Sequence, residues 1–209
     1  MKQIPMLLVL GLALSLCGLL NKSKNSGSSG SSGSGTSSSS SSGPVEKAAP
    51  TAAQTAALAG GKSAKWDPQG LSWTVPANWT QSANDDASFI WQSPGGFDAG
   101  HLILNISPLP ESFPAETSIQ SMYDQAKGEE KNGLLDEVKM LEIDGVKGVE
   151  TRQSNPKKSD DFRRLTWRAY RKYSGQLQLI TVILSSSGKG FPEHQDEMYG
   201  VLCSTKVVH

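Results

Sequence analysis

One strand constrains this chain more than any other feature. Over Gln176–Ser186, Leu177, Leu179 and Ile183 project to one side, while Ile180, Val182 and Leu184 project to the other. Successive side chains of a strand alternate between faces. A strand apolar on both sides therefore predicts a sheet that is covered on both sides.

Its neighbours in sequence supply the sheet. Phe162–Tyr173 precedes it across Ser174-Gly175, and Glu137–Ile143 is followed by Val146–Gln153 across Asp144-Gly145. Two-residue connections ending in glycine favour type I′ hairpins, so four antiparallel strands are expected. Shorter strands are read over Leu71–Val75, Thr80–Ala83, Ser88–Gln92 and His101–Leu109, separated by Pro76, the Asn84-Asp85-Asp86 turn and Pro94-Gly95-Gly96. Apolar positions Ile119, Met122, Tyr123 and Ala126 predict a helix over Ser118–Lys131, stopped by Gly133. A second helix is read from Pro192 to Leu202, with proline in its first turn. One helix early and one late give an α+β class: an antiparallel sheet with helices on both faces, an α/β/α sandwich.

The bulky side chains are not spread evenly. All five tryptophans, four tyrosines and five phenylalanines lie beyond Ala64, so the core is expected in residues 65–209. Residues 21–64 read as a flexible linker. Of the 23 residues in Asn21–Gly43, 13 are serine and five glycine, which leaves no apolar surface to offset the entropy of ordering. The Ala/Thr/Pro-rich stretch Val45–Ala64 reads as a continuation of that spacer, with helical tendency around Thr51–Ala59.

Residues 1–20 carry a single Lys2 ahead of the apolar run Ile4–Leu20, the layout of an export signal. Seventeen helical residues span about 25 Å, short of a bilayer core of about 30 Å. Cys17 follows Leu14-Ser15-Leu16 and resembles a bacterial lipobox, although Leu16 is bulkier than that motif prefers. Lipidation of Cys17, retention of the run as a membrane anchor, and cleavage after Ala13-Leu14-Ser15 all remain open. Each places the rest of the chain outside the cytoplasm, and the first two hold it at a membrane.

Residues 65–209 hold 15 basic and 19 acidic side chains, a balance that argues against nucleic acid as partner. Within them Arg164, Arg168 and Lys172 fall on one side of a strand, and Arg163 and Arg171 on the other. Interleaved with Trp167, Tyr170 and Tyr173, the first three form a candidate patch for an anionic ligand. The alternative is a solvated strand whose charges discourage edge pairing. His101 and His194 lack any spacing that demands a metal, and Cys203 reads as a small residue packed behind the last helix. No cofactor, metal or catalytic constellation is expected.

The segment Gly70-Leu71-Ser72-Trp73-Thr74-Val75-Pro76-Ala77-Asn78-Trp79 resembles the strand-Pro-x-x-Trp opening of the PsbP-like, or DcrB-like, superfamily. The strand His101–Ser107 before the Ser118–Lys131 helix, the Ile143-Asp144-Gly145 turn, the Arg164–Ser186 hairpin and the closing Phe191–Cys203 segment extend the likeness over most of residues 68–205. The resemblance implies an antiparallel sheet between helices in an extracytoplasmic protein, often without known catalysis. No functional residue is carried over from it. The expectation is a membrane-tethered bacterial envelope protein that binds an envelope protein partner without catalysing a reaction. The alternative is a small-ligand or enzymatic domain with a cleft between sheet and helix, around His101, Arg168 or Tyr170.

Overall fold

A computed structural model describes residues 43–85 and 88–208. Among these, eight strands form one sheet in the order β1-β7-β8-β9-β10-β6-β5-β4, and three form a second in the order β11-β3-β2. The strands are β1 (Val45–Lys47), β2 (Lys62–Trp66), β3 (Leu71–Val75), β4 (Thr80–Asn84), β5 (Phe89–Gln92), β6 (His101–Leu109), β7 (Leu135–Ile143), β8 (Val146–Gln153), β9 (Phe162–Tyr173), β10 (Gln176–Ser187) and β11 (Lys206–Val207). The helices are α1 (Ala52–Ala57), α2 (Ala115–Lys131) and α3 (Phe191–Cys203).

The doubly apolar strand sits inside the large sheet. β10 pairs antiparallel with β9 from Gln176↔Tyr173 to Ser187↔Phe162, and with β6 from Leu177↔Leu109 to Ser185↔His101. The two hairpin turns take the expected conformation, since φ is 49° at Asp144, 83° at Gly145, 49° at Ser174 and 80° at Gly175. Left-handed backbone at both central residues is what a type I′ turn requires. α2 begins a turn earlier than its periodicity suggests, behind Pro114.

The two faces of the sheet are covered unequally. On one face α3 and the small sheet close over β5, β6, β8, β9 and β10, and all five tryptophans belong to that core. Phe89 stacks between Trp66 and Trp73, with ring centroids 5.5 and 5.3 Å apart. Each aromatic ring buries roughly 150–250 Å², worth about 4–6 kcal/mol of transfer free energy at 25 cal/mol per Å². This face therefore dominates the stability. Trp167 fits there because Gly148, its neighbour on β8, has no side chain: a Cβ at that position would lie 2.4 Å from the indole nitrogen. That nitrogen instead donates to the Leu141 carbonyl at 3.1 Å.

On the other face α2 packs Ile119 and Ala126 against Leu135, Val138, Met140 and Val149. It therefore covers β7 and β8 and reaches only the near side of β9. In consequence Gln178, Ile180, Val182 and Leu184 of β10 are buried, whereas Leu177, Leu179, Thr181 and Ile183 on its opposite side are only half-buried. The expected double cover of this strand is complete on one face alone.

A second correction concerns the boundary expected at Lys65. β1 pairs in parallel with β7, Val45↔Met140 to Lys47↔Glu142, at the sheet edge. α1 packs on α3, and β2 pairs with β3 from Lys62↔Val75 to Trp66↔Leu71. Residues 43–64 thus belong to the folded unit. α1 opens with a capping box, in which Thr51 Oγ1 accepts from Gln54 N at 3.2 Å and Gln54 Oε1 accepts from Thr51 N at 2.9 Å. The earlier part of the expected linker, the apolar run and Cys17 lie outside the described residues. No helix among the described residues is long and apolar enough to cross a membrane.

Candidate functional site

Two recesses lie on opposite faces of the large sheet. The first is the half-open face left by α2. Its apolar floor is Met122 and Ala126 of α2, Leu135 of β7, Val149 of β8 and Ile183 of β10, around a space of about 370 Å³. An adjoining recess of about 420 Å³ continues across Ile90, His101, Ile103 and Phe162. Arg164 borders both. At the far end Phe97 and Phe162 are 56% and 39% exposed and lie 5.5 Å apart, with His101 packed edge-on to Phe162.

The strand β9 separates its arginines as its period dictates. Arg163 and Arg171 face the aromatic core and are buried. Arg163 donates to the Gln153 carbonyl at 2.8 Å and to Asp136 at 2.5 Å, and Arg171 donates to Gln178 at 3.2 Å. Arg164, Arg168 and Lys172 are exposed on the open face. Across the ladder Arg164 stands opposite Ser185, Thr166 opposite Ile183, and Arg168 opposite Thr181. Ile183 is therefore flanked by the two arginines, and neither forms a hydrogen bond or ion pair with another described residue. Of the five arginines in the chain, only these two lack such a partner. Lys172 is separate, since it pairs with Glu111 at 2.8 Å outside the recess.

β9 lies between β8 and β10, so protection of a sheet edge does not account for its charges. The neighbouring acids are mostly engaged elsewhere: Asp136 with Arg163, Glu137 with Lys139 and Arg152, and Glu130 with Lys127. Of the alternative cleft residues, Arg168 borders the first recess and His101 the one adjoining it, and Tyr170 packs under Phe113 at 5.3 Å. His194 lies elsewhere, 2.9 Å from Glu197, and no cluster of three metal-ligating side chains occurs among the described residues.

The second recess was not foreseen. It is a cleft of about 290 Å³ between β7, β8 and α3, bordered by the segment Glu46–Gln54. Glu137, Lys139, Glu150, Arg152, Tyr199 and Cys203 line it. The Tyr199 hydroxyl donates to Glu137 at 2.9 Å and accepts from Arg152 at 3.3 Å, while Lys139 and Arg152 both form ion pairs with Glu137. Burial opposes the charge on Glu137, yet these partners hold its carboxyl below the ordinary range.

Glu150 is different. It is 3% exposed, and among the described residues neither its Oε1 nor the Nε of Arg152, two residues further along β8, has a hydrogen-bond partner. Burial raises the Glu150 carboxyl to about 7, against the attraction of Lys139. Burial and the Glu150 charge together push the Tyr199 hydroxyl and the Cys203 thiol upward. Cys203 thus borders the cleft, half-buried, instead of being sealed behind α3. One sequence signal for this site does exist. The Asp144-Gly145 turn puts Glu150 on the same face as Val146 and Gly148, the side that packs against the core.

No family model and no curated protein matches the chain. Among solved structures, LpqN, involved in cell envelope biogenesis of Mycobacterium tuberculosis, is 11% identical, with a TM-score of 0.51 over 71% of this chain and 86% of LpqN. Cyanobacterial PsbP from Synechocystis sp. PCC 6803 is 14% identical, with a TM-score of 0.44 over 70% of this chain and 92% of its own. A protein of Bacteroides thetaiotaomicron is 13% identical, with a TM-score of 0.46. The match covers 71% of this chain and about half, 49%, of that one. With its large, mainly antiparallel sheet between helices, the domain shares the fold of LpqN.

Proposed function

We propose that this protein is a non-catalytic binding module of the bacterial cell envelope, held at the membrane through lipidated Cys17 or the apolar run 4–20. On this reading its open sheet face receives an acidic segment of an envelope protein. One observation carries it: Arg164 and Arg168, without ion-pair partners among the described residues, flank the half-buried Ile183 on the part of the sheet that α2 leaves uncovered. An apolar floor between two free guanidinium groups suits an apolar side chain bordered by carboxylates, because guanidinium binds carboxylate through paired N–H donors. The export signal and the likeness in fold to LpqN, an envelope-biogenesis protein, support the location.

Site-specific photocrosslinking in cells that make the protein tests this. A photoreactive residue at the exposed Asn105, which lies opposite Thr181 on the open face, should give one discrete protein adduct. The same residue at Ser63 on β2 should not. The adduct should vanish in the Arg164→Glu, Arg168→Glu double variant and weaken at high salt. An adduct formed equally by that variant, or one of lipid mass, overturns the reading.

A further inference from the structure

The cleft around Glu150 is independent of the open face and has its own chemistry. Its six charged side chains balance, with Glu46, Glu137 and Glu150 against Lys47, Lys139 and Arg152. A site of zero net charge gives no long-range preference for an anion or a cation. Within it Glu137 is saturated by Lys139, Arg152 and Tyr199. What remains is one buried acceptor, Glu150 Oε1, and one buried donor, Arg152 Nε. A buried polar atom without a partner is destabilising, and more so when the group is charged. Both atoms belong to side chains that line one recess, and a small shift of those side chains toward it would let one molecule supply both complements.

The spacing narrows its identity. Glu150 and Arg152 stand two residues apart on one face of β8, so their Cα atoms are separated by about 7 Å. The two charged ends of an extended dipeptide lie about the same distance apart. The cleft volume of about 290 Å³ is at the lower end for ligand sites, which suits a molecule of that size. We infer that the cleft binds a small zwitterion of dipeptide length, its ammonium on Glu150 and its carboxylate on Arg152. Glu46–Gln54 borders the site, so occupancy also ties down the segment that leads toward the N-terminus.

An ammonium bound at Glu150 requires the ionised carboxylate. The groups facing it are Lys139 and Glu137 from β7, Arg152 from β8, Tyr199 and Cys203 from α3, and Glu46 and Lys47 from β1. Since burial favours the protonated form of Glu150, affinity should rise with pH as that proton is lost.

Diglycine is the probe, titrated into the isotope-labelled full chain in detergent and followed by amide resonances. Saturable shifts are expected at Glu150, Arg152, Tyr199 and Lys47, with affinity increasing several-fold between about pH 5.5 and 7. N-acetylglycine, which lacks the ammonium, and glycinamide, which lacks the carboxylate, should each bind at least tenfold more weakly. Glu150→Gln should lose about tenfold in affinity while its spectrum elsewhere is unchanged. No saturable shift with diglycine, or equal binding of either truncated compound to the unmodified chain, overturns the inference. So does undiminished binding by Glu150→Gln. None of these outcomes depends on the open face, so failure here leaves the crosslinking result standing.

Discussion

Lys139 and Glu150 are direct partners across the β7–β8 ladder, yet the lysine ammonium forms its ion pair with Glu137, its neighbour two residues back on β7. Glu137 gains a second cation, Arg152 at 3.2 Å, and the Tyr199 hydroxyl. Glu150 keeps the attraction of Lys139 and Arg152 and a side-chain hydrogen bond with Tyr199, which together do not offset its burial. Two glutamates on one face are thereby driven apart: one is held ionised, the other is left buried and easily protonated.

That division predicts a pH profile. Glu150 moves from 4.5 to about 7 on folding, so the folded state binds its proton more tightly than the unfolded chain does. Below about pH 4.5 both states are protonated and Glu150 has no effect. Stability then falls as the pH rises to 7 and above, by on the order of 2–3 kcal/mol. Glu137, held low, acts oppositely: its contribution is present above its ordinary range and is lost as pH falls through its folded value. Urea unfolding should show greatest stability in mildly acidic buffer. Glu150→Gln should gain about 2 kcal/mol at pH 8 and nothing near pH 4.5.

Arg163 and Arg164 are adjacent in sequence and opposite in consequence. Arg163 is buried, bonded to Asp136 and the Gln153 carbonyl, and stacked 4.5 Å over the Phe191 ring. Arg163→Ala leaves those partners unmet and opens a gap beside α3, a loss of about 2–4 kcal/mol. Arg164→Ala, with no described partner, should change stability by less than about 0.5 kcal/mol. Denaturant midpoints of the two variants distinguish them directly.

The turns of this fold were legible because they depend on single residues. Asp144-Gly145 and Ser174-Gly175 fix the two hairpins and, with them, which side chains share a face. The same alternation separates Arg164 from Arg163 in the sequence alone. Residues 43–64 were illegible for the opposite reason. β1 takes its register from β7, and β2 offers only Ala64 and Trp66 as buried positions, so both acquire structure from their partners. Periodicity along β10 likewise shows two apolar faces but not how far α2 extends over one of them. Glu150 looks like an ordinary strand glutamate until α3 closes above it.

The N-terminal segment can be loosened selectively. Gly200 of α3 touches α1, and a Cβ there would lie 2.8 Å from the Gln54 carbonyl and 3.0 Å from the Leu58 side chain. Gly200→Ala should displace α1, so that tryptic cleavage after Lys47 quickens several-fold. Gly128 of α2 has open space instead. Gly128→Ala should stabilise by up to about 1 kcal/mol through helix propensity and leave that cleavage unchanged.

Val182 and Ile183 test the unequal cover of β10. Val182 is fully buried among the aromatic core and paired in the ladder with Trp167. A carboxylate there has neither a partner nor water, so Val182→Asp should cost more than 4 kcal/mol and abolish cooperative folding. Ile183 borders the open recess, where an aspartate reaches solvent and stands between Arg164 and Arg168. Ile183→Asp should therefore cost about 1 kcal/mol or less, partly offset by those guanidinium groups. The same substitution places a negative charge where the proposed acidic partner would sit, so it should remove the Asn105 adduct from a folded protein. Thermal melts of the two variants decide the matter. Equal collapse of both would mean that α2, or another segment, seals the face that carries the two free arginines.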